Sequence, residues 1–372
     1  MIRSAEIKAR ALEIGFDLCG IAPAADFPEL RRLRDWIDCG HAGEMGYMAR
    51  TASRRADVRY VLPAARSVIV AAVNYNVDRP YSTELADSSR AQIARYAWGD
   101  DYHDVLARRL DALLEWMRDW HGEPFDARAY VDTGPVQERV YAQYAGIGWI
   151  GKNTCVINPA VGSWIFLSEI ICSLPLEPDA PALDQCGTCA LCLEACPTGA
   201  IVAPWVVDAT RCLSYLTIEL KTAIPEALRE GLGAHVFGCD LCQEVCPWNA
   251  RPACSEDPSW QPKAALLGPR LVDLWGRSDS QLAEIVKDGP MTRPRLQGLR
   301  RNLAVALGNS GTSEAAAALA HERSDRSIQN PLVAEHVDWA KRKLRSEPET
   351  EARLLKKAPH HRGHGGHRGI LE

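Results

Sequence analysis

The stretch CGTCALCLEACP, residues 186–197, decides how this 372-residue chain folds. It sets Cys186, Cys189, Cys192 and Cys196 at the spacing C-x2-C-x2-C-x3-C and closes on Pro197. Three thiolates on such a tight loop can cap one face of a 4Fe–4S cube, while the longer last step turns the fourth towards a second cube. The proline stops a following helix from running back into the cluster.

A second run, FGCDLCQEVCPWN, gives Cys239-x2-Cys242-x3-Cys246-Pro247. It lacks a first cysteine, because Val236 stands in that slot, and Cys212 upstream is the replacement. A crossed pattern assigns Cys186, Cys189, Cys192 and Cys246 to one cluster, and Cys196, Cys212, Cys239 and Cys242 to the other. Structural zinc also takes four thiolates, but through paired C-x2-C knuckles and not a triple run. The remaining cysteines, Cys19, Cys39, Cys155, Cys172 and Cys254, have no ligand spacing and read as packing residues. Eight cysteines bunched in a chain without an export signal point to metal in a reducing compartment, not to disulfides.

Outward from this block, the composition is that of a soluble protein, 47% hydrophobic and 24% charged. No apolar run approaches the roughly 18 residues of a membrane span. The expected location is cytoplasmic. Upstream, residues 66–73 read as a buried strand, residues 128–131 and 163–171 as two more, and Val105, Leu106, Leu110, Leu113, Leu114 and Met117 as the apolar stripe of a helix. Strands alternating with helices imply an α/β (α+β) layer domain over residues 1–174. Pro175, Pro178 and Pro181 mark its boundary. Downstream, residues 295–307, 313–323 and 331–344 read as short helices, a HEAT-like module over residues 256–345, followed by a disordered basic tail, 346–372. Residues 291–372 carry 15 Lys+Arg and 9 Asp+Glu, net +6 on a chain of net −5, so residues 1–290 carry −11. A basic segment on an acidic body suits either a polyanionic partner or a solvated surface. Arg300 and Arg301 are the expected phosphate contacts.

Residues 146–153, GIGWIGKN, imitate two nucleotide motifs and satisfy neither. The segment follows a helix at 136–144 where the dinucleotide fingerprint should follow a strand, and Asn153 replaces the P-loop hydroxyl. It can still line a large polar ligand. Asp132 ends a strand just before Thr133-Gly134-Pro135, where a carboxylate is either a helix cap or a functional acid. To act as a general acid it would need a raised pKa, which only desolvation could supply. The Asp101-x-His103 pair suggests a cobalt-ligating histidine motif, but Leu106 replaces its glycine, so an axial histidine is not expected.

VDTGPVQER, GWIGKNTCVINPAVGSW, CGTCALCLEACPTGAI, RCLSYLTIE and FGCDLCQEVCPWN, in this order, resemble the epoxyqueuosine reductase family, across most of residues 1–255. LRRNLAVALGN resembles that family's helical segment. The resemblance implies a cobalamin-binding domain, a ferredoxin-like two-cluster domain over residues 175–255, and reduction of epoxyqueuosine to queuosine at the tRNA wobble position, the last step of queuosine synthesis. It implies base-off cobalamin, a low-potential electron donor of ferredoxin or flavodoxin type, and a monomer with no membrane. By the same resemblance Asp132 is the proton donor, and Arg95, Tyr96, Lys152, Asn153, Asn158, Ser163 and Ser214 surround the cofactor. The competing readings are a corrinoid reductive dehalogenase-like enzyme, a non-catalytic electron carrier and a zinc-binding RNA adaptor.

Overall fold

Ser67–Asn74 is buried at every position and forms the middle of the fold. In the computed structural model, which describes residues 2–85, 87–321 and 325–357, it lies between Leu18–Pro23 and Ile165–Cys172, and Ala127–Tyr130 completes the sheet on the far side. Every pairing is antiparallel, with Ile69 opposite Ile21 and Ile170. The sheet is therefore the α+β kind, without parallel crossover units. Because side chains alternate along a strand, Ser67–Asn74 feeds two cores. Ile69, Ala71 and Val73 meet Val105, Leu106, Leu110 and Leu113 of the helix Tyr102–His121. Val68, Val70 and Ala72 meet Val140, Tyr141 and Ala142 of the helix Glu138–Tyr144. A strand apolar on both faces needs a helix layer on each.

The two cysteine runs each close in a single helical turn, Leu191–Glu194 and Leu241–Glu244. The cysteine-bearing segment is not packed by itself. Leu213, Leu216, Leu220, Val236 and Phe237 share one continuous core with Leu299, Leu303, Val305 and Leu307 of the helix Arg295–Ser310. The C-terminal part is helical, with Arg295–Ser310 wrapped by Leu271–Gly276, Ser313–Ala320 and Pro331–Lys357.

Two expectations fail here. Arg300 and Arg301 are fully buried and cannot meet a phosphate. The Arg300 guanidinium donates to the Trp275 and Arg277 carbonyls and pairs with Asp279. Arg301 donates to the carbonyls of Leu216, Leu220 and Thr222, while Asn302 reaches Thr217 and Val236. Arg301 and Asn302 thus tie the helical part to the cysteine segment, while Arg300 braces the helical part itself. The segment expected to be a disordered tail is helical at its start, since Pro331–Lys357 runs through it; the rest of that expectation, 358–372, lies outside the described residues.

Candidate functional site

A cavity of about 2210 Å³ opens between the sheet domain and the cysteine segment. It is larger than the usual small-ligand pocket of roughly 300–1,000 Å³. Asp132 stands on its wall at the end of Ala127–Tyr130, with φ 57°, a left-handed conformation that aspartate tolerates better than most residues. Gly134 makes the turn feasible, because a Cβ there would lie 2.5 Å from the Tyr130 ring. The Tyr102 hydroxyl donates to Asp132 Oδ2 at 3.0 Å, and His103 Nε2 approaches the same oxygen at 3.3 Å. The hydrogen bond from His103 outweighs burial and holds Asp132 below the usual carboxylate range. The raised pKa expected for a general acid is therefore absent in this arrangement, because a histidine from 29 residues away supplies a counter-charge.

The eight cysteines separate into two groups. Cys186, Cys189, Cys192 and Cys246 line a smaller cavity of about 270 Å³, and Cys196, Cys212, Cys239 and Cys242 form part of the large cavity's wall. Burial first, then the nearby Cys246 and Cys186, push the Cys192 thiol up to about 11. Burial likewise raises Cys239 well above its ordinary value, with Asp240, Cys212 and Cys196 adding to it. The Ala200 N–H donates to Cys196 Sγ at 3.2 Å, a bond that favours a thiolate. Among the described residues no three His, Cys, Asp or Glu side chains converge closely enough for a single ion. Two sets of four thiols each are the donors that 4Fe–4S clusters take.

The other candidates divide. Tyr96, Asn153 and Ser214 line the large cavity. Asn153 also touches the smaller one and donates to the Cys242 carbonyl, so it stands between the two thiol groups. Lys152 lines only the smaller cavity, where its ammonium donates to the Gly187 and Cys189 carbonyls and pins the first cysteine loop. Arg95, Asn158 and Ser163 are not on the wall of the large cavity. Arg95 is buried beneath Tyr81, Trp98 and Trp164 and donates to the Val77, Arg79 and Pro80 carbonyls. Asn158 shapes its own turn, accepting from the Ala160 and Val161 N–H groups. Ser163 is held by Gln243 and Asn249. All three are polar residues whose hydrogen bonds are satisfied internally.

Sequence reasoning missed the partners of Asp132. Tyr102, His103 and Glu138 line the cavity with it. Glu138 is a half-buried acid, one oxygen of which is enclosed, and burial and the charge on Asp132 push it up to about 8. Beyond it, Glu169 is fully buried in the sheet, neither oxygen has a hydrogen-bond partner, and burial lifts it well above the normal range. For Glu138 the one available signal was its place at the start of the short helix that follows Asp132.

Two family models match this chain: epoxyqueuosine reductase QueG, DUF1730, over residues 55–133, and a 4Fe–4S double cluster binding domain over residues 185–249. An epoxyqueuosine reductase of Salmonella typhimurium is 39% identical over 90% of this chain and 86% of its own length, and one from Xanthomonas campestris is 40% identical over 91% and 95%. An epoxyqueuosine reductase solved with an epoxyqueuosine-modified tRNA stem loop superposes with a TM-score of 0.79 at 30% identity, covering 96% of this chain and 94% of that one. The Bacillus subtilis enzyme, solved with an aspartate catalytic loop swung out of the active site, superposes at 0.78 with 30% identity, over 96% and 95% of the two chains.

Proposed function

The chain belongs to the epoxyqueuosine reductase family, and from that membership we propose a cobalamin in its large cavity, with Asp132 as the proton donor to substrate. It reduces epoxyqueuosine in tRNA to queuosine, and its cysteine segment carries two 4Fe–4S clusters. We assign Cys186, Cys189, Cys192 and Cys246 to one cluster and Cys196, Cys212, Cys239 and Cys242 to the other. The observation that carries the reading is a single cavity with Asp132 on its wall alongside one complete set of four thiols.

The residues present fit cobalamin. The cavity has room for a corrin and a nucleoside together, and one thiol group lies on its wall, so electrons have a short path in. When bound, cobalamin supplies the redox-active cobalt that brings electrons to the epoxide. Tyr96, Asn153 and Ser214 would hold the corrin in this reading, whereas Lys152, Arg95, Asn158 and Ser163 support the surrounding loops. Asp132 gives a proton to the departing oxygen. Loss of that oxygen as water consumes two protons and two electrons, which the two clusters can pass singly. The unpaired wobble base of a tRNA loop can be splayed into such a cavity.

The finer organisation belongs to this proposal too: corrin on residues 1–174, clusters on 175–255, a HEAT-like helical module on 256–345, and a cytoplasmic monomer reduced by a ferredoxin or flavodoxin. No helix among the described residues is long and apolar enough to cross a membrane.

Anaerobic purification with iron, sulfide and cobalt measured, followed by assay on epoxyqueuosine-containing tRNA, tests the proposal. Two four-iron clusters, one cobalamin and queuosine formation are expected. Asp132→Asn should keep both cofactors and lose turnover by at least about 100-fold. Iron-free protein, or full turnover in that variant, would overturn the corresponding part.

A further inference from the structure

The Asp101–His103 pair fails as a cobalt-ligand motif, yet the fold gives it a definite geometry. Asp101 caps the helix Tyr102–His121, its Oδ1 accepting the His103 backbone N–H at 3.0 Å. The same oxygen accepts from His103 Nδ1 at 2.7 Å, which locks the ring to its own helix cap. Tyr102 stacks on that ring at 4.0 Å. The free nitrogen, Nε2, is thereby aimed at Asp132 Oδ2, 3.3 Å away.

We propose that His103, oriented by Asp101, is the proton carrier behind Asp132. Its Nε2–H passes a proton to the Asp132 carboxylate, which hands it to the departing epoxide oxygen. This rests on the reading of Asp132 as the group that meets substrate. In this transfer the N–H bond breaks with its electron pair left on nitrogen, and an O–H bond forms on Asp132. That O–H then breaks as the new one forms on the leaving oxygen. One passage supplies the first proton; the hydroxide released with the alkene takes the second from solvent as the products leave, and His103 is recharged from water in the reopened cavity. The two electrons come from the clusters.

Burial opposes a charge on His103, but the hydrogen bonds to Asp101 and Asp132 outweigh it and raise its pKa to about 9. In the open cavity the pair's single proton therefore sits on the imidazole. Covering the cavity with substrate excludes water and penalises the ion pair, which favours the neutral state with the proton on Asp132. Tyr102 donates to the same oxygen, yet burial drives its own ionisation far above its ordinary value, so it stays a fixed neutral donor. The other charges facing the pair are Arg139 and Glu138 beside Asp132, Lys263 beside Asp101, and the more distant Arg293. Glu138 also holds a transferable proton near neutrality.

The test is single-turnover kinetics of the cofactor-loaded enzyme on epoxyqueuosine tRNA across the pH range, with His103→Gln and Asp101→Asn. Iron content and tRNA affinity equal to the parent's establish that both variants are folded. The parent should lose rate above a midpoint near 9. His103→Gln should fall by about 100-fold at neutral pH, lose that alkaline limb, and recover in part with added imidazole. Asp101→Asn should move the limb to lower pH, in step with the His103 titration seen by nitrogen NMR of histidine-labelled protein with oxidised clusters. A His103→Gln profile that keeps the parental limb would make the histidine structural and overturn the relay. Full turnover in Asp132→Asn would instead remove the reading beneath it.

Discussion

Glu169 puts an ionisable group where water cannot reach it, with both oxygens lacking a hydrogen-bond partner. Neutral, it costs about 1–3 kcal/mol in lost hydrogen bonding; charged, it would cost far more. Its folded pKa is therefore raised, and so is that of Glu138, to about 8. The sign follows directly. A proton kept by the folded state and lost by the unfolded one stabilises fully below the ordinary glutamate range, and that stability drains away as pH rises through the folded value. Glu169→Gln, an uncharged isostere, should melt above the parent at pH 9 and close to it at pH 5. The gap should be on the order of a few kcal/mol. A parent curve that is flat across this range would mean the carboxyls are solvated. Nothing in the sequence marks Glu169 as unpaired, because SWIFLSEII reads as one buried strand with a single charged letter. Asp132 was legible as an acid ending a strand, but its protonation state was not, since it depends on a histidine brought in by tertiary folding.

At the scale of elements, the helix Arg295–Ser310 inverts a common assumption. Paired arginines in a basic stretch suggest a nucleic-acid contact, yet here the surrounding LxxLxxxLAVAL pattern turns them inwards. The guanidinium has five donors and can satisfy several carbonyls at once, which a surface reading overlooks. Burial lowers the Arg301 pKa to about 10, still well above neutrality, so it stays charged in the cell. Arg301→Ala would strand the carbonyls of Leu216, Leu220 and Thr222, which follow Cys212 closely in the chain. The expected loss is about 3–5 kcal/mol of stability, read by denaturant titration, with iron content falling in parallel. A variant as stable as the parent would show those carbonyls finding water instead. The strands, the helix Tyr102–His121 and the cysteine runs were legible because their periodicity or spacing is local. The strand Leu18–Pro23 was not, since Cys19, Gly20 and Pro23 interrupt its apolar pattern and its register is set by Ser67–Asn74.

For the whole molecule, the burial of Arg300 and Arg301 takes these two out of any RNA contact, and the net charge of residues 291–372 does not by itself locate one. The exposed arginines on the cavity wall, among them Arg32 and Arg54, are better placed to grip the phosphates flanking a splayed base. Replacing both with alanine should weaken tRNA binding without changing iron content. It should also lower the slope of log affinity against log salt by about 1.5, as two phosphate contacts on a single strand would. An unaltered slope would move the interface elsewhere on the surface.

The two thiol groups carry a last implication. On the proposed assignment, each cysteine run lends its final sulfur, Cys196 or Cys246, to the set that the other run mainly furnishes. The loops are thus buckled together, and oxidative loss of one inorganic cube slackens the straps that hold its twin. Partly corroded protein should be scarce in an aerated sample, with molecules either fully furnished or wholly stripped.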